Sequence, residues 1–129
     1  MCEYYAQMDY KGFIRVCFND LRGSAKRRNL PVDITADDVI AKYEAQAGRC
    51  NLSGEPLTHR RQELGMGRQD RYLTNISVDR IDSNKGYTLD NIQIVASIIN
   101  AMKYDLPQND FIAFCHKIAN RQPIETSFE

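Results

Sequence analysis

ISVDRIDSNKGYTLDNIQIVASIINAMK, residues 76–103, decides the fold. Ile76, Val78 and Ile81 alternate with polar residues and predict a strand over 76–81. The run from Asp82 to Asp90 holds Ser, Asn, Gly and Asp, the composition of a loop. Ile92, Ile94 and, less strictly, Val95 predict a returning strand. Ile98, Ile99 and Met102 then recur at helical spacing, so a short helix is expected from Ser97 to about Tyr104. Strand, loop, strand and helix in this order bring Asp79, at the end of the first strand, toward Asn100, one turn into the helix.

Upstream, Ile14, Cys17, Phe18, Leu21 and Ala25 recur at three and four residues, which predicts a helix from Gly12 to about Asn29 with one buried stripe and a basic opposite face. Gly23 weakens its middle and marks a place for a bend. Pro31 closes it, because the residue before a proline is pushed away from helical backbone. Val32-Asp33-Ile34 reads as extended. Thr35 is an N-cap, with Asp37 and Asp38 placed in the first turn where acids suit the helix dipole. Val39, Ile40, Tyr43 and Ala47 give that second helix its apolar face, and Gly48 is expected at its C′ position. Arg49 to Leu57 is a turn and loop. His59 to Asn75 is polar, arginine-rich and long for a bare connection, which points to function or mobility. Downstream, Pro107 suits the first turn of a last helix, about 107–120, whose core face is Phe111, Phe114, Cys115 and Ile118. The residues before Lys11 and after about Asn120 show no period.

The 129 residues bound this to a single domain, 1–129, of α+β class, small and mostly helical around the hairpin. No run approaches the ~18 apolar residues that span a bilayer. The first residues, MCEYYAQMDYKGF, have no apolar signal core, so a cytoplasmic protein is expected. Cys2, Cys17, Cys50 and Cys115 are scattered and form no C-x-x-C pair, so neither a disulfide framework nor a structural zinc is expected. The formal net charge is zero, but six bases stand against one acid between Lys11 and Leu30, and four arginines against two acids between Leu57 and Leu73. Local patches decide where a polyanion docks. Lys26, Arg27 and Arg28 are the first candidates for such contacts, then Arg60 and Arg61.

A carboxylate and an amide oxygen are hard ligands. Asp79 and Asn100 together therefore suit Mg²⁺ or Mn²⁺ with water completing the shell, beside a phosphate whose developing charge the ion offsets. Taken without their context, the same two residues would be an ordinary strand end and an ordinary solvated helix position.

The ordered string SVDRID, KGYT, DNIQ and N-x-x-K resembles the ββα-metal finger of HNH endonucleases, in their phage-type branch. The likeness extends over about 100 residues, through SAKRRNLPVDITADDVIAKYEAQAGRCNLSGEPL before the finger (about 76–104) and INAMKYDLPQNDFIAFCHKIA at its end. It implies that Asp79 and Asn100 are metal ligands and that Asn91 pins the loop between the strands. It also implies that Arg80 stands where the general-base His is usual. Paired cysteines that hold zinc in many such domains are here reduced to Cys50 and Ser53, with Ala96 and Ile99 at the second pair, so an apolar contact is expected to replace the metal.

Arginine is a poor base, and its chemistry suits a bidentate clamp on the scissile phosphate. Proton transfer then falls to metal-bound water, to His59 or to Tyr87. Lys85 and Lys103 are added as candidate contacts to the nucleic-acid backbone. The resemblance thus implies a metal-dependent hydrolase of DNA phosphodiester bonds. Double-stranded DNA is the expected partner, and a double-strand cut requires a homodimer or two successive events. The competing reading is a catalytically inactive HNH-fold regulator that binds DNA or protein, and Arg80 and the neutral net charge favour it.

Overall fold

The computed structural model describes residues 9–60, 72–122 and 124. Asp9 caps helix α1, Tyr10–Arg27, by accepting a hydrogen bond from the Gly12 N–H at 2.8 Å. Ile14, Phe18 and Ala25 are buried, Cys17 and Leu21 lie at the edge of the core, and Phe13 joins the stripe. The helix runs on through Gly23. It ends in a Schellman turn. Asn29 takes a positive φ of 59°, and the Leu30 N–H reaches back to the Ala25 carbonyl at 2.9 Å.

Helix α2, Ala36–Ala45, begins with the expected cap in full form. Thr35 Oγ1 accepts from the Asp38 N–H, and the Asp38 carboxylate accepts from the Thr35 N–H. Its end differs from expectation by one residue. Ala47 occupies the left-handed C′ position (φ 55°), while Gly48 is C″ and bonds the Tyr43 carbonyl. Gln46, the C-cap, then works as a substitute strand. Its amide pairs with both the N–H and the carbonyl of Ile94, and so covers part of an otherwise open sheet edge.

Strands β1, Ile76–Arg80, and β2, Ile92–Ala96, form a two-stranded antiparallel sheet in which Asp79 faces Gln93 and Val78 faces Ile94. All five residues of β2 are buried, Gln93 included. The predicted alternation is absent there because helices cover both faces: α2 packs on β2, α1 on β1, and helix α3, Ser97–Lys103, on both strands. Ile14, Val39, Ile92, Ile94 and Val95 are the centre of the core.

Helix α4, Gln108–Arg121, follows Pro107, which stands at the N-cap and not inside the first turn. Its expected core face is only partly realised. Phe111 is buried, but Phe114 is 53% and Ile118 63% exposed, and Cys115 is half-buried. The period is helical as read. What is missing, among the described residues, is an element to cover the far end of the face.

Candidate active site

A cavity of about 520 Å³ opens where the end of β1, the loop after it, α3 and the residue capping α1 converge. Asp79, Arg80, Tyr87, Asn100 and Arg28 line it. The turn Lys85-Gly86-Tyr87 is seated against the α1–α2 connection: the Tyr87 N–H donates to the Pro31 carbonyl at 2.9 Å and the Asp33 N–H to the Tyr87 carbonyl at 2.8 Å. A side chain at Gly86 would meet Pro31 Cγ at 2.5 Å, so only glycine allows this approach.

Asn91 closes the loop from the inside. Its Oδ1 accepts from the Asp82 N–H (2.9 Å), and its Nδ2 donates to the carbonyls of Asp82 (3.1 Å) and Gly86 (2.9 Å). The side chain is buried, and all three bonds run to loop backbone.

Asp79 is 5% exposed. Its Oδ2 accepts from Gln93 Nε2 at 2.9 Å and from Lys103 Nζ at 2.6 Å. Its Oδ1 has no donor among the described residues. Asn100 donates through Nδ2 to Ser77 Oγ at 2.7 Å and, more weakly, to the Val78 carbonyl at 3.4 Å. Its Oδ1 is likewise left without a donor among the described residues. Two hard oxygens, each fixed by bonds on its other side and both on residues lining one cavity, fit a hard divalent cation that keeps several waters.

Arg80 Nη1 donates to the carbonyls of Ser83 (2.6 Å) and Lys85 (2.8 Å), and the guanidinium lies 5.4 Å from the Tyr87 ring centroid. Its other nitrogens have no acceptor among the described residues. Arg28 reaches in from the end of α1 and donates to Tyr87 Oη at 3.2 Å. The Tyr87 ring, 7% exposed, is thus flanked by two guanidinium groups.

Other expected residues lie elsewhere. Lys103 corrects the expectation of a contact to nucleic acid: it is 1% exposed, and its ammonium is used by Asp79 Oδ2, the Arg80 carbonyl at 2.9 Å and the Ile81 carbonyl at 3.2 Å. His59 is not brought to the cavity. It packs near Phe13, beside Thr58, which pairs with Asn75 just before β1 begins. Asp79 is four residues further along, ~13 Å at strand rise. Lys26, Arg27, Arg60 and Lys85 are exposed; Arg60 stacks over Tyr72 at 4.7 Å. Arg61 lies outside the described residues.

Sequence reading missed Gln93 and the place of Arg28 in the cavity. A glutamine inside the apolar run Ile92–Ala96, in register with Asp79, was the available signal for the first; nothing local signals the second.

Cys50 is buried as a free thiol. Burial pushes its thiol up, but N–H groups of Ser53 and Ala96 donate to the sulfur, each at 3.4 Å, and bring it below the ordinary thiol value. Beside it, Leu52, Ile99, Met102 and Phe111 line an apolar hollow.

No protein-family model matches the chain, and no curated protein matches it. The fold has a solved counterpart. The chain superposes on the rare-cutting HNH restriction endonuclease PacI, a structure described for its mechanism of DNA perturbation, with a TM-score of 0.63 over 92% of this chain and 85% of that one. At 20% identity the likeness is one of fold, and it defines the class: a small α+β fold of HNH type.

Proposed function

We propose that this chain is a divalent-metal-dependent endonuclease that hydrolyses phosphodiester bonds of double-stranded DNA inside the cell. One observation carries the reading. The two uncommitted oxygens of Asp79 and Asn100 belong to the same cavity as two guanidinium groups, Arg80 and Arg28. Hard oxygen donors beside paired arginines suit a phosphodiester and a cation together.

Asp79 and Asn100 would hold Mg²⁺ or Mn²⁺, which supplies Lewis-acid stabilisation of the charge that builds on phosphate. Arg80 offers its remaining donors to the same phosphate, and Asn91 keeps the loop in the shape that aims them. Tyr87 Oη, held by Arg28, is a hydroxyl at the cavity and the candidate favoured here to assist proton transfer. His59 is too distant in this arrangement for that role. Lys26, Arg27, Arg60 and Lys85 would contact backbone phosphates, which fixes position without reading sequence.

A second reading has its own observation: Asp79 is already paired with a buried ammonium, and Arg80 is no base. A protein so built could bind DNA and leave it intact. Conversion of supercoiled plasmid, with and without Mg²⁺ or Mn²⁺, separates the two. The nuclease reading expects metal-dependent nicking that Asn100→Ala abolishes. Salt-sensitive DNA binding with no nicking in either metal would favour the binder.

A further inference from the structure

Lys103 is the largest of the fully buried side chains, and it lies one turn beyond Asn100 on α3. Lysine is almost never fully buried unless it is paired. Here the pairing is complete, since the ammonium has three acceptors: Asp79 Oδ2 and the carbonyls of Arg80 and Ile81. The same carboxylate oxygen also receives Gln93 Nε2. Gln93 is fixed in turn by Asn51, which donates to its Oε1 at 2.8 Å, and by Gln108, which accepts from its Nε2 at 2.6 Å. All of this restraint falls on Oδ2, and Oδ1 is left open.

Resting on the nuclease reading above, we infer that Lys103 is a positioning residue that serves as the resident counter-ion of the metal site. It has two effects. It holds the Asp79 carboxylate in its working orientation before a cation arrives. It also cancels the carboxylate's charge at short range, so that the protein alone attracts a divalent cation weakly. Arg28 and Arg80 add further positive charge to the same cavity. The charge that would draw the cation in is therefore the phosphate's. Nucleic acid and metal bind cooperatively, and by linkage each raises the affinity for the other by the same factor.

The test is Mn²⁺ binding in the absence of DNA, followed by the rise in melting temperature across a Mn²⁺ titration. It is run on wild type, Lys103→Met, Lys103→Gln, and each Lys103 variant combined with Asn100→Ala. Lys103→Met leaves Asp79 without its partner charge; Lys103→Gln keeps a donor for Oδ2 but removes the charge. Both are expected to lower the half-saturating Mn²⁺ concentration about tenfold or more, equivalent to about 1.4 kcal/mol, and Asn100→Ala is expected to reverse the gain. Wild type is expected to gain Mn²⁺ affinity when a short duplex is added. A midpoint within twofold of wild type in both variants would overturn the inference, as would failure of millimolar Mn²⁺ to stabilise either one.

Failure of the nuclease reading shows differently. If wild type never nicks DNA but the variants gain Mn²⁺ affinity through Asn100, the counter-ion role stands and the enzyme does not. If wild type nicks and the midpoints do not move, the enzyme stands and the counter-ion role falls.

Discussion

Removing the carboxylate of Asp79 should unfold much of what it was meant to disarm. In Asp79→Asn, Lys103 keeps its place in the core, 1% exposed, and loses its only anionic partner among the described residues. Two carbonyls, at 2.9 and 3.2 Å, remain to hold a full positive charge. Breaking a buried ion pair from one side costs about 3–5 kcal/mol, because the surviving charge is uncompensated. A domain of this size has roughly 5–15 kcal/mol in total. At roughly 3–5 °C per kcal/mol, Asp79→Asn should melt about 10–25 °C below wild type. Asn100→Ala gives up one good bond, to Ser77 Oγ, and should cost about 1 kcal/mol. The double variant Asp79→Asn with Lys103→Met removes both charges and should return to within about 2 kcal/mol of wild type. Urea denaturation followed by circular dichroism, on the two single variants and the pair, measures the coupling directly. If Asp79→Asn alone lies within about 1 kcal/mol of wild type, the pair does not carry the weight assigned to it. The practical result is that loss of nicking in an Asp79 variant does not by itself identify a metal ligand; Asn100→Ala is the cleaner probe.

Asn91→Ala deletes three buried bonds to the loop and should cost about 2–4 kcal/mol in chemical denaturation. Asn91→Asp should be at least as harmful, since it replaces the donating Nδ2 with a carboxylate oxygen, an acceptor, facing two carbonyls; an Asp variant as stable as wild type would show that those carbonyls do not depend on a donor at position 91. Gly86→Ala forces the turn off Pro31 and should destabilise by about 1–3 kcal/mol, with loss of whatever activity Arg80 and Tyr87 support. Thiolate absorbance near neutral to alkaline pH should show one thiol titrating below the ordinary range, a component that Cys50→Ser removes. Because that folded-state value is depressed, its contribution to stability is full above the ordinary thiol pKa and fades as pH falls through the folded one.

The hairpin and the two capped helices were legible because their signals are local. Period-two alternation set β1, and Thr35 with Asp38 three residues later set the start of α2. The order strand, loop, strand and helix likewise brought Asp79 and Asn100 toward one place, while the loop-pinning role of Asn91 came only from the HNH resemblance. Other features depend on what lies across the fold. Composition places a lysine on the surface, and only the register of β1 with β2 and the seat of α3 show that Lys103 ends beside Asp79. The stripe on α4 has the same period whether or not anything covers it, so Phe114 and Ile118 read as core. The one-residue offset at Ala47 arose because a glycine is the expected left-handed residue and an alanine was carried there. His59 was assigned by chemistry alone, and chemistry does not report the reach of a loop.

The seat of Gly86 on Pro31, with Arg28 at Tyr87, joins positions 28–33 to positions 86–87. A peptide excised as strand, loop, strand and helix would carry Asp79, Asn91 and Asn100 but neither that seat nor the second guanidinium. The cavity is therefore a product of closure between distant parts of the chain. Whatever chemistry this cavity performs requires residues 28–33 and 78–105 to be folded together, and no isolated hairpin and helix should reproduce it.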